Sequence, residues 1–136
     1  MNFVSLLRRN PRTLGFGFLH ALASSAGQTF VIALFLPDIK GSFGLGDAEV
    51  ASLYAAATVA SAAVLWTAGR WIDRVDLLRY SFMSGLFLAL ACFFTASVTL
   101  VPLLAIGFFA LRLGGQGLLT HVTVTAVARY FSKDRG

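Results

Sequence analysis

The chain has 136 residues, of which 57% are hydrophobic and 12% charged, with a formal net charge of +5. Soluble domains carry about 25% charged residues. With a mean hydropathy of +0.79, this composition excludes an ordinary water-soluble domain and places the chain among membrane proteins. The positive charge does not point to nucleic acid, because the basic residues sit at the ends of apolar runs, as orientation signals do, and form no stripe on a soluble face.

Met1 to Thr13 is a short basic lead-in with Arg8, Arg9, Arg12 and Pro11. Leu14 to Leu36 follows as the first span, since a helix needs roughly 20 apolar residues to cross the hydrocarbon. The run is too long for a signal-peptide core and lacks a small-residue cleavage pattern, so it reads as a retained span. Its surface is uneven. His20, Ser24 and Gly27 recur at spacings of four and three, with Gly17 and Gln28 on neighbouring turns, which gives one polar and small face. That face has to meet protein or water.

Pro37 to Glu49 is predicted as the first loop, with Pro37 ending one helix and Gly41, Gly44 and Gly46 preceding the next. Asp47 is placed to cap the second span by accepting a free backbone N–H. That span, about Val50 to Ala68, is rich in alanine and carries Tyr54, Thr58 and Ser61 on one stripe. Small residues let helices approach closely in lipid. Gly69 to Arg79, GRWIDRVDLLR, then packs Arg70, Asp73, Arg74, Asp76 and Arg79 into a short stretch, and no other charge falls between Val50 and Arg112.

The third span, about Tyr80 to Ser97, has no charged residue beyond its start, and its phenylalanines are spread around it. It is predicted to be the most lipid-exposed helix. The single cysteine, Cys92, lies within it and reads as a small hydrophobe. The fourth span runs from about Pro102 to Ala128, with Pro102 tolerable in the first turn. It is longer than the bilayer requires, so it is expected to tilt or protrude. Arg129, Lys133, Asp134 and Arg135 close the sequence. The lead-in, the charged loop and the tail hold three Lys or Arg each, against Lys40 alone in the first loop. That bias predicts an all-α, multi-pass cell-membrane protein with four spans and both termini cytoplasmic.

Arg112 is the sharpest single residue. An arginine near a span centre costs about 2.5–3.5 kcal/mol on insertion scales, and such charges commonly mark a pathway. Gln116 and Thr123 are predicted to share its face, with Gly114, Gly117 and His121 opposite as a helix contact. The bland reading has Arg112 only bonding backbone carbonyls of the first span. His20 is a candidate for proton coupling because imidazole ordinarily ionises near neutral pH. With no acidic partner in any span, a neutral hydrogen bond between helices is favoured. His121 reads as packing. The residues offer no metal-ligand spacing, no nucleophile with a base and no phosphate loop, so no enzyme, cofactor or metal is expected.

Gly69, Asp73 and Arg74 match the start of the Gly-x-x-x-Asp-Arg-x-Gly-Arg-Arg loop signature between helices 2 and 3 of the major facilitator superfamily, which this chain resembles. Asp76 departs from that pattern where glycine is usual, Leu77 and Leu78 replace basic residues, and Arg79 comes one place late. Arg112 to Gly117, RLGGQG, is similar to the helix 4 signature. The resemblance implies a cytoplasmic gate at Gly69, Asp73 and Arg74, with Arg129 as a possible ion-pair partner, against the alternative of a merely solvated loop charge. It implies a substrate or coupling cavity involving Arg112, Gln116, His20, Ser24 and Gln28. Transporters of this family are built from inverted three-helix repeats. Residues 1–136 would then be the first repeat plus helix 4, a truncated N-terminal part whose missing C-terminal helices are partners. The implied function is secondary active transport of a small solute, an organic anion with proton coupling being one form of it. The alternatives are a four-helix homo-oligomer, which the lack of a carboxylate in the first span disfavours, and a structural membrane protein without substrate.

Overall fold

The computed structural model describes residues 11–130. Arg8 and Arg9 of the lead-in, and Lys133, Asp134 and Arg135 of the tail, lie outside the described residues.

The first span is interrupted: α1 covers Pro11–Ser24, a 3-10 turn covers Ser25–Gly27, and α2 covers Thr29–Phe43. The second is α3, Asp47–Ala68, continuing as a 3-10 turn over Gly69–Asp73, and the third is α4, Leu77–Ser97. The fourth joins α5, Val101–Leu111, through a π-helical segment, Arg112–Leu119, to α6, Thr120–Tyr130. All four are long and apolar enough to cross a membrane. Large side chains such as Phe18, Phe30, Trp66, Phe82 and Phe93 stay on the outer surface, where acyl chains replace water.

Several local expectations are corrected. Pro37 does not end a helix but lies inside α2. A proline lacks only its own N–H, and spans tolerate that loss when the rest of the backbone stays paired. The helix ends instead at Gly44, whose φ of 64° suits a residue without Cβ; the N–H groups of Gly44 and Leu45 both return to Lys40 O. The loop thus shrinks to 44–46. Asp47 is not the cap of the second span. It pairs with Lys40 at 2.5 Å, while Gly46 takes the cap position and donates its N–H to Glu49 Oε2 at 2.7 Å.

Asp76 is the residue that caps. Its Oδ2 accepts the N–H groups of Leu78 at 3.2 Å and Arg79 at 3.4 Å, starting α4 three residues before the expected Tyr80. The aspartate that departs from the family signature therefore has a local job. Asp76→Ala is expected to lower thermal stability in detergent by about 1 kcal/mol, while Asp76→Asn retains most of it.

The fourth span is the hub. Burial reaches 56% of its most apolar window, against 17–22% in the other three. Phe108 and Val122 are fully enclosed. The third span, expected to be the most lipid-exposed, is no more exposed than the first two. Its seam of Ser81, Ser84, Leu88 and Ala91 is buried, and Leu88 meets the fourth span closely at Gly114. Periodic small residues made that seam while phenylalanines filled the other faces.

Candidate functional site

The first and fourth spans are both irregular, and their irregular segments cross. In the first, Gln28 leaves helical geometry (φ −82°, ψ 150°), with its N–H bonded to Ser25 O at 3.0 Å. In the fourth, the π segment widens the turn over Arg112–Leu119; such insertions recur at functional positions. The backbones touch where they cross. A Cβ on Gly27 would lie 2.0 Å from Leu111 O and 2.8 Å from Gly115 Cα, and a Cβ on Gly115 would lie 2.6 Å from Gly27 Cα. Only glycine fits at either position.

Arg112 springs from the start of the π segment and is 7% exposed. Its Nη1 donates to Thr29 Oγ1 at 3.0 Å and to Gly27 O, the carbonyl at the break, at 3.4 Å. Tyr54 of the second span donates its O–H to the same Thr29 Oγ1 at 2.9 Å, and its ring centroid lies 5.3 Å from Arg112 Cζ. Arg112 Nε is buried with no hydrogen-bond partner. The ion pairs among the described residues are Lys40–Asp47 and Arg129–Asp73, so this guanidinium has no carboxylate counter-ion. A buried cation with a spare donor suits an anionic group, above all a planar one such as carboxylate.

Arg112 and Gln116, expected on one face, part company. Gln116 is exposed while Arg112 turns inward, because the π segment shifts the phase of the residues that follow it. Thr123 joins a different group. With Ser24, Ser25, Gln28 and Thr120, and beside Ala21 and Phe30, it lines a cavity of about 270 Å³. His20 lies apart from that cavity. Its Nδ1 bonds Phe16 O at 2.7 Å and its Nε2 pairs with Ser81 Oγ of the third span. A neutral ring with the proton on Nδ1 satisfies both contacts, the hydroxyl donating to Nε2.

At the end where α3 meets α4, Arg129 Nη2 donates to Ile72 O at 2.9 Å and lies 3.4 Å from Asp73 Oδ1. Of the four residues named for the gate, Asp73 and Arg129 thus meet as an ion pair. Gly69 stands close to His121, since an added Cβ would sit 3.7 Å from its ring. Both line a cavity of about 520 Å³ with Trp66, Arg70 and Asp73. Arg74 is exposed and its side chain has no hydrogen-bond partner among the described residues.

The sequence from residue 17 to residue 136 matches the family model of the Major Facilitator Superfamily. The chain belongs to the Major Facilitator Superfamily. No curated protein and no solved structure matches it. As a Major Facilitator Superfamily member with four apolar spans, it is an integral membrane protein, in contact with lipid and concerned with moving small solutes across the membrane.

Three residues of this superfamily member's crossing escaped sequence reasoning. Gly115 was hidden among other glycines, and only its distance to Gly27 sets it apart. Thr29 and Tyr54 are too common to stand out alone. The one available signal was Tyr54 on the same stripe as Thr58 and Ser61, which marked that stripe as facing protein.

Proposed function

We propose that residues 1–136 form the N-terminal part of a secondary active transporter for small organic anions. The crossing of the first and fourth spans supplies one wall of its path. Arg112 is the anion-binding group, with Ser24 and Gln28 on the facing segment of the first span, while Gln116 stands outside this group. The observation that carries this reading is the buried guanidinium that has a spare Nε donor and no acidic partner. The grouping of Ser25, Gln28, Thr120 and Thr123 around one cavity supports a second element of the proposal. Hydroxyls and an amide at bilayer depth need protein or water beside them, and further helices of the same protein would cover them. Both termini are assigned to the cytoplasmic face of the cell membrane, in line with the basic end of the bundle.

For coupling we assign the proton, while His20 bridges the first and third spans through Phe16 O and Ser81 Oγ.

The test is uptake of labelled monocarboxylates by the complete protein in proteoliposomes, with and without an inward proton gradient. Saturable uptake abolished by a protonophore is the expected result. Equal uptake of neutral and anionic analogues would overturn the substrate class. A further assignment concerns Asp73, which we place at the cytoplasmic gate with Gly69, Arg74 and Arg129. An exposed pair contributes about 0–1 kcal/mol, so Asp73→Asn is expected to leave stability nearly unchanged while slowing transport severalfold. Wild-type rates in that variant would remove the gating role.

A further inference from the structure

We propose that the charged loop end of the bundle is a docking surface for anionic phospholipid head groups, centred on Arg74 and Arg79 and flanked by Arg70. The inference rests on how the charges are spent. Among the described residues, the end formed by the start of α1, the α3–α4 connection and the end of α6 carries Arg12, Arg70, Arg74, Arg79 and Arg129 against Asp73 and Asp76. Both acids are already occupied. Asp73 faces Arg129, and the Asp76 carboxylate accepts the first free N–H groups of α4. Arg70, Arg74 and Arg79 are therefore left without an acidic partner, on a segment of ten residues. The opposite end has the reverse balance, with Asp38, Asp47 and Glu49 against Lys40.

Exposed aromatic and apolar groups lie beside these cations at the end of the spans. Trp66 is 75% and Trp71 66% exposed, and Leu78 and Phe82 stand outward on the first turns of α4. Arg70 stacks over the Trp66 ring, its Cζ 5.9 Å from the centroid. Exposed tryptophans anchor at the membrane interface. A guanidinium beside them meets lipid phosphate, which it can bind through two parallel N–H donors. Leu78 and Phe82 would contact the upper part of the acyl chains, so the occupant is a whole lipid and not a free phosphate ion. This inference needs membrane insertion alone and does not rest on the proposed substrate.

The experiment is native mass spectrometry of the full chain, delipidated in detergent and offered phosphatidylglycerol and phosphatidylcholine in equal amounts. The wild-type protein is expected to retain phosphatidylglycerol preferentially, with the preference falling as salt rises. Arg74→Gln with Arg79→Gln should reduce that preference by about thirtyfold at low salt, the weight of two cations at a charged bilayer face. Arg74→Glu with Arg79→Glu should reverse it. Lys40→Gln, at the other end, should leave it intact, and inorganic phosphate should not displace the lipid. Equal retention of the two lipids by the wild type, an unchanged preference in the double glutamine variant, or displacement by inorganic phosphate would each overturn the proposal. Unchanged helical circular dichroism in both double variants separates lipid loss from unfolding.

Discussion

Gly27→Ala and Gly115→Ala are each expected to prevent the first and fourth spans from docking. A single methyl on Gly27 would fall 2.0 Å from Leu111 O, and one on Gly115 would fall 2.6 Å from Gly27 Cα and 2.7 Å from Ser24 O. Every one of these neighbours is backbone, so no side chain can rotate out of the way. The helices must separate, and the contacts of the crossing go with them. Overpacking of well-filled interiors costs about 1–3 kcal/mol, occasionally more, and a clash with main chain on both sides belongs at or above the top of that range. Gly85→Ala provides the contrast. An added Cβ there meets nothing within 4 Å, so the better helix propensity of alanine should stabilise by up to about 1 kcal/mol. Thermal unfolding of the three variants in one detergent decides the matter, and a Gly115→Ala protein as stable as Gly85→Ala would refute the close crossing.

The second large effect is expected at Arg112, where stability and activity should separate. Arg112→Met keeps the length and removes the charge. It leaves Gly27 O without its donor, a loss of about 1–3 kcal/mol for a buried group. It also removes a cation whose placement at bilayer depth costs about 2.5–3.5 kcal/mol. Thr29 keeps its bond from Tyr54. The opposing terms nearly cancel, so the variant should fold and insert with stability close to wild type. Anion uptake should nevertheless fall by about 10- to 100-fold, because a charged hydrogen bond contributes about 1.5–3 kcal/mol. If methionine destabilised the bundle and left the uptake of the surviving protein unaltered, Arg112 would be a brace and not a binding group.

The four spans were legible because length and apolarity alone decide whether a segment crosses a bilayer, and the family was legible because its loop signature depends on residue identity. The approach of Asp73 to Arg129 could be anticipated from their shared position at one end. What escaped was phase. Assigning faces at regular helical spacing fails once a helix changes pitch, and the fourth span does so at Arg112–Leu119. Regular helical spacing puts Gly114, Gly117 and His121 on one contact face. Gly114 in fact meets Phe87 and Leu88 of the third span, Gly117 meets Leu65 of the second, and His121 stands by Gly69. Thr123 left the Arg112 face for the same reason. Pro37 and Asp47 misled because the preferences of a single residue yielded to paired ends, with Gly44 stopping one helix and Glu49 holding the start of the next.

The interruption at Ser25–Gly27 also bears on how the protein is made. A continuous helix can enter the bilayer as soon as it leaves the ribosome, because it satisfies its own main chain. The first span here cannot complete itself in that way. The Gly27 carbonyl finds its donor on Arg112, a residue of the fourth span, which is synthesised after it. Until that span arrives, the nascent first span must either wait beside the insertion machinery or sit in lipid as an unbroken helix. The native bend is then a late event in biogenesis, installed when the fourth span docks.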